Sequence, residues 1–465
     1  MRARLLQGLL PALILLFPLP VAAQAVAPTI AQAPPSASAI LAAFDALAGQ
    51  PLWPGFEPRS IPVAIYDGEQ TWLVRHPAPP AGFVRKSDFL WAFPGQHPEM
   101  RANTSTEIGG VRTATLLPTA AGGREARGWA AVLIHETFHV FQRDHHPAWS
   151  GNEAELFVYP MDDAALLAQR RLETEAVRRA VSTVDSSPAA CWAARALELR
   201  RLRFAHMPAG SAGYERGTEL NEGLAAYVEA AASRSMPALP AEGYAADQIR
   251  QEAYGIGSAL AALLDRFDPT WKQTLESGSA ASLDELLAVA LPFPDTAGCR
   301  FTPEENARAL ARAAAEADRL VAGRKERRAA FFARPGLRLV IDAGPQPLGP
   351  QGFDPMNVES LGNREVLHRR WLKLGNDRGT LEVLGREALT EGAGDHPLFN
   401  GVRLLTLSGL AAEPKINRKG EALEIDTEGF KATFTGAVAA RSGGVIRITW
   451  PEGPPPAAGA TPPRE

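Results

Sequence analysis

Residues 128–142 read GWAAVLIHETFHVFQ, and the rest of the chain is best read outward from them. Side chains on a helix advance about 100° per residue, so Val132, His135, His139 and Gln142 share one face. Leu133, Ile134, Phe138, Val140 and Phe141 make nearly all the remainder apolar. A helix apolar on almost every side belongs in a core, and imidazoles buried with it need partners. Two histidines at i and i+4 can aim ring nitrogens at one Zn²⁺ ion, and Glu136 stands beside them, placed to take a proton from a water that the metal activates. The plainer alternative is two core histidines satisfied by backbone groups.

A catalytic zinc takes a third protein ligand and keeps its fourth position open. Residues 220–229, LNEGLAAYVE, offer one. Leu220, Leu224, Tyr227 and Val228 form an apolar stripe, while Glu222 and Glu229 lie together on the opposite face, nearly two turns apart. On spacing alone this is either a solvated acidic face or a metal ligand, Glu222, with Glu229 behind it orienting a ligand or a neighbouring polar group. His145 is a rival, ten residues after His135, the interval of the metzincin signature. That signature turns the chain at a glycine where this sequence has Gln142, and a left-handed non-glycine costs about 1–2 kcal/mol. In a continuing helix His145 points about 80° away from His135, although Pro147 ends the helix nearby. Glu222 is the expected ligand.

HETFH followed by LNEGLAAYVE resembles the gluzincin zinc metallopeptidases. The second motif is similar to the NEGFA-type segment of the alanyl-aminopeptidase and leukotriene-A4-hydrolase family. The resemblance covers about fifteen residues. It implies His135, His139 and Glu222 as ligands of one Zn²⁺ and Glu136 as general base. It also implies a small sheet before the motif helix, whose edge strand pairs with an extended substrate; the hairpin at 105–116 is the segment expected to do so. Tyr254, in Tyr254-Gly255-Ile256-Gly257, is a looser echo of the tyrosine that steadies the oxyanion in that family, and is otherwise a packed aromatic. Tyr214 and His206 are alternatives for that role. The spacer from His139 to Glu222 is far longer than in the aminopeptidases, their GxMEN motif has no match, and Phe138 and Phe141 depart from their helix sequence. Aminopeptidase specificity therefore does not carry over; the zinc site does.

Around these motifs the 465 residues divide by character. Arg2 and Arg4, an apolar run and Ala23-Gln24-Ala25 read as a signal peptide over 1–25, which points to a secreted or periplasmic protein without stable membrane insertion after cleavage. Residues 26–38 read as a flexible leader and 452–465 as a disordered tail. The expected fold is α+β. A gluzincin-like zinc-binding domain over 39–335 has a small amino-terminal sheet at 39–118 and mainly helices at 119–335; a β-rich domain follows at 336–451. Within the sheet, runs at 61–66 and 71–75 and a hairpin turning at Gly109-Gly110 are the expected strands. Thr302-Pro303-Glu304-Glu305 opens a long helix. Cys191 and Cys299 are either one disulfide or two buried thiols. His76, His97, His146, His368 and His396 read as surface or loop histidines, and Glu153, Glu155, Glu173 and Glu175 as a solvated face beside arginines.

Lys plus Arg number 48 against 52 Asp plus Glu, a net charge of −4 that offers no footprint for nucleic acid or an acidic membrane surface. The expected function is an exported zinc-dependent hydrolase, a peptidase acting on a peptide or protein substrate. The alternatives are a non-catalytic envelope binding or scaffold protein with a structural metal, and a zinc hydrolase of a non-peptide substrate.

Overall fold

The computed structural model describes residues 35–118, 124–278, 282–292, 296–354 and 357–451. The expected signal peptide, most of the expected leader and the carboxy-terminal tail lie outside the described residues. Ser36 accepts a hydrogen bond from the backbone N–H of Ala39 and so starts helix α1 (Ala37–Leu47), two residues inside the stretch expected as leader. Its apolar stripe, Ala37, Ile40, Phe44 and Leu47, is buried and gives the reason.

Six strands follow: β1 (Val63–Tyr66), β2 (Gln70–Val74), β3 (Val84–Ser87), β4 (Leu90–Pro94), β5 (Thr104–Ile108) and β6 (Val111–Leu116). They form one sheet in the order β3-β4-β2-β1-β6-β5, with β1 and β6 parallel and the other neighbours antiparallel. The β5–β6 hairpin turns at Gly109 and Gly110, whose φ angles of 58° and 77° are the left-handed values such a two-residue turn demands. This puts β5 at the sheet edge. Strands β3 and β4 had no alternating signal to betray them; every residue of β3 is exposed.

The helical part comprises α2 (Ala126–His145), α3 (Ala164–Ser182), α4 (Ser186–Phe204), α5 (Ala209–Thr218), a π turn (Glu219–Gly223), α6 (Leu224–Ser233), α7 (Ile249–Phe267), α8 (Trp271–Glu276), α9 (Leu283–Ala290) and α10 (Pro303–Ala333). α10 opens with a reciprocal capping box between Thr302 and Glu305. One core unites α1, the sheet and the helices through Phe44, Ile65, Leu116, Phe138, Leu224, Leu260 and Trp271. Cys191 and Cys299 form a disulfide across 108 residues, tying α4 to the segment before α10. No helix of the described residues is long and apolar enough to cross a membrane.

Glu173 corrects the expectation of a solvated face. It is buried between Arg200, at 2.7 Å, and Arg203, also at 2.7 Å. Arg200 grips both oxygens of Glu219 at 2.8 and 2.6 Å, Arg203 grips Glu215, and Arg170 pairs with Glu252 at 2.7 Å. The reason is tertiary: α3 and α4 pack face to face, with α5, the π turn and α7 covering the seam, so charges that face outward from one helix face inward in the assembly. His76 and His368 are likewise buried, bonding the Ile108 carbonyl at 2.8 Å and the Thr390 hydroxyl at 3.1 Å.

Beyond α10, strands from Leu337–Asp342 to Val445–Thr449 make a seven-stranded and a six-stranded sheet. Leu339, Ile341, Leu372, Val383, Leu405, Phe430 and Phe434 meet between them in one core, a sandwich arrangement. Phe331 of α10 packs with Leu361, Leu367 and Leu389 of the sandwich. His396 bonds the Ala154 carbonyl at 2.9 Å.

Candidate metal centre

Three segments converge on one point. α2 brings His135, Glu136 and His139, the π turn brings Glu222, and α7 brings Arg250 and Tyr254. The π turn admits one residue more than an α-helical turn, a widening common where a helix presents a functional group. Its close approach to α7 depends on two glycines. A Cβ on Gly223 would lie 2.6 Å from Gly257 Cα, and one on Gly257 would lie 2.8 Å from the Glu219 carbonyl oxygen. Any side chain at either position would push Glu222 away from Tyr254.

His135 Nε2 and His139 Nε2 are 3.1 Å apart, and Glu222 Oε2 is 3.1 Å from His139 Nε2 and 3.7 Å from His135 Nε2. Ligand atoms about 2.0–2.1 Å from a tetrahedral zinc sit about 3.3 Å from one another. The three spacings straddle that value, and two imidazoles with one carboxylate is a donor set that catalytic zinc takes. The residues fit the ion. Among the described residues this is the one group of three or more such side chains close enough to hold a metal.

Outer partners hold each donor. Gln142 Oε1 lies 2.8 Å from His139 Nδ1, and Glu229 Oε2 lies 3.3 Å from His135 Nδ1. Arg250 donates to Glu222 Oε1 at 2.8 Å and to Glu153 at 2.6 Å. Tyr254 lies parallel to the His135 ring, with centroids 6.2 Å apart. A cavity of about 380 Å³ opens beside Glu229 and Tyr254, walled by Ala131, Ala226, Met236 and Tyr244. Arg143 of α2 donates to the Ser105 carbonyl of β5 at 3.3 Å, setting the sheet edge beside the motif helix.

The electrostatics follow from burial and the crowd of carboxylates. Burial lowers the His135 pKa, but the nearby Glu222 and Glu229 carboxylates, with Glu136, outweigh it and raise the value to about 10. Burial works against the Glu222 carboxylate too, yet His135 and His139 hold its pKa well below the usual range. Glu136 is shifted the other way, upward by burial and only partly drawn back by the two histidines. It is 7% exposed, and among the described residues its carboxylate makes no hydrogen bond or ion pair. Burial and then the Glu222 charge hold the Tyr254 phenol protonated far above neutral pH.

His135, Glu136, His139, Glu222 and Tyr254 are therefore brought together, with Glu229 behind His135. The rivals are not. His145 bonds the Phe141 carbonyl at 3.0 Å and stacks on the Phe141 ring. His206 is exposed and bonds the Leu202 carbonyl, and the Tyr214 hydroxyl points to Glu153 at 3.4 Å. Arg250 was missed, although its place one turn before Tyr254 on the same helix is a signal the sequence carries. The links made by Gln142 were missed because they join segments 78 and 79 residues apart. No family model, curated protein or solved structure matches this chain.

Proposed function

We propose that this α+β protein is an exported zinc-dependent hydrolase that cleaves peptide bonds. The observation that carries the proposal is Glu136, a buried carboxylate without a hydrogen-bond partner among the described residues, next to two converging imidazoles and Glu222. A Zn²⁺ ion held by His135, His139 and Glu222 would supply Lewis acidity, polarising a scissile carbonyl and making water acidic enough to attack it near neutral pH. Glu136 accepts the proton of the attacking water and passes it to the leaving amine. Without metal, burial shifts its pKa upward, so it grips a proton more firmly than an exposed glutamate does. Tyr254, kept protonated, donates to the oxygen on which negative charge develops, a contact worth about 10²–10³ in rate where it is made. Edge strand β5 offers its backbone to an extended peptide, and the cavity beside Tyr254 takes a flanking side chain.

Glu136 also separates this reading from a structural metal in a binding or scaffold protein. A structural zinc is closed by four protein ligands and needs no neighbouring base. Export rests on the basic and apolar amino-terminal pattern, and the Cys191–Cys299 disulfide suits an oxidising compartment. The test is metal analysis of the purified protein together with casein and peptide-library screening of wild type and Glu136→Gln. Stoichiometric zinc in both proteins, with turnover lowered about 10²–10⁴-fold in the variant, is expected. Zinc-loaded wild type that cleaves nothing across the screen, or a Glu136→Gln protein as active as wild type, sinks the proposal.

A further inference from the structure

We propose that Gln142 is the positioning residue that locks the two ligand-bearing elements together and fixes which nitrogen of His139 faces the metal; this rests on the metal-centre reading above. Gln142 is 1% exposed and spends its amide on both sides of the site. Its Oε1 lies 2.8 Å from His139 Nδ1, while its Nε2 donates to the Leu220 carbonyl at 2.9 Å and the Asn221 carbonyl at 2.8 Å.

These contacts admit one amide orientation. Carbonyls only accept, so the nitrogen must face Leu220 and Asn221, and the oxygen is left for His139. His139 Nδ1 must then carry the ring proton, and Nε2 keeps a lone pair aimed at the point shared with His135 Nε2 and Glu222 Oε2, each 3.1 Å away. The two carbonyls belong to the π turn. Its hydrogen bonding is shifted, with the Leu224 N–H reaching back five residues to the Glu219 carbonyl, so carbonyls inside the turn take other donors. Gln142 serves two of them. One side chain thereby ties the ring of His139 to the backbone that presents Glu222, 83 residues along the chain. At the other end of the turn Glu219 is gripped by Arg200, so the turn is fixed on both sides.

Gln142→Met keeps length and volume but removes both links. Gln142→Glu keeps an acceptor for His139 and sets an oxygen against the two carbonyls, breaking only the link to the turn. Zn²⁺ affinity is measured by competition with a chromophoric chelator, ligand geometry from the visible spectrum of the Co²⁺-substituted protein, and stability from melting of the metal-free protein. Gln142→Met should bind zinc about 10–100-fold more weakly with an altered cobalt spectrum, the loss typical when a ligand's orienting partner is removed. Gln142→Glu should fall between it and wild type, and decides alone if the methionine variant does not fold. Wild-type zinc affinity and cobalt spectrum in the variants, even with a lowered melting temperature, would make Gln142 merely structural and overturn the inference. Wild type that fails to bind zinc overturns it together with the metal-centre reading, so the two failures are told apart by the wild-type titration.

Discussion

Zinc binding to the metal-free protein should expel a countable proton. His135 is buried with Glu222 Oε2 at 3.7 Å from its Nε2 and Glu229 Oε2 at 3.3 Å from its Nδ1. Burial alone would strip its charge, but the two carboxylates prevail and its pKa stands at about 10. At pH 7.5 such an imidazole is protonated in essentially every molecule, whereas one with the ordinary value of about 6.5 is protonated in roughly one in ten. A ligand nitrogen must lose its proton before it binds metal. His135 should therefore release about 1.0 proton per zinc at pH 7.5 instead of about 0.1, and affinity should climb about tenfold per pH unit between roughly pH 7 and 9. Calorimetric titration in buffers of different ionisation enthalpy reads the number directly as a slope. In Glu229→Gln the slope measured near pH 9 should fall below that of the wild type, because one of the two charges that sustain the imidazolium is gone. A wild-type slope near zero at pH 7.5 would refute the charge state assigned to His135, and a Glu229→Gln slope equal to that of the wild type near pH 9 would refute the part given to Glu229. The sign for folding follows: a pKa raised on folding stabilises the metal-free protein fully below about pH 6.5, and that contribution is lost as pH rises through about 10.

The remaining outcomes concern the ligand set, the buried ion network and the disulfide. Glu222→Ala should lose zinc at least as severely as the 10–100-fold typical of outer-partner changes, while His145→Ala keeps it; metal analysis giving the reverse would make the site metzincin-like. Arg203→Met leaves Glu173 and Glu215 without the fully buried guanidinium that both now share, and should cost about 3–5 kcal/mol in urea unfolding; a loss under about 1 kcal/mol contradicts the network's weight. The disulfide closes 108 residues, so unreduced protein should show no titratable thiol under denaturation, and reduction should remove about 2–4 kcal/mol. Free thiols in freshly isolated protein would dismiss it.

What was legible in the sequence is what a single element can reveal. The α2 helix announced itself because it is apolar on nearly every side yet carries two histidines on one face, and the Glu222–Glu229 pair because both oppose the stripe of Leu220, Leu224, Tyr227 and Val228. Both glutamates do face the histidines, one toward the converging nitrogens and one toward the far nitrogen of His135. The Gly109-Gly110 hairpin was legible for the same local reason, since its turn needs two left-handed residues. Glu173 failed the same method. Judged on α3 alone it belongs to a charged outer face, and only the packing of α4, α5 and α7 over that face turns solvent into an interior where carboxylates must find Arg200 and Arg203.

The same limit explains why the converging side chains were readable and their supports were not. His135 and His139 are four residues apart on one helix, and Glu222 shares a helical face with Glu229 seven residues on, so each segment leaves its own spacing in the sequence. Holding those side chains still is a matter between helices. Gln142 works only because the carbonyls of residues 220 and 221 come to it, Arg250 only because the π turn delivers Glu222, and Gly223 and Gly257 only because their backbones meet. No period in the chain records such meetings. The burial that makes them necessary also accounts for the excess of carboxylates around the centre. Glu136, Glu222 and Glu229 crowd around buried His135 and half-buried His139, and a protonated His135 offsets part of their charge. A divalent cation between the two rings would replace that single proton with two positive charges, which is why the ion and the proton must compete for the same place.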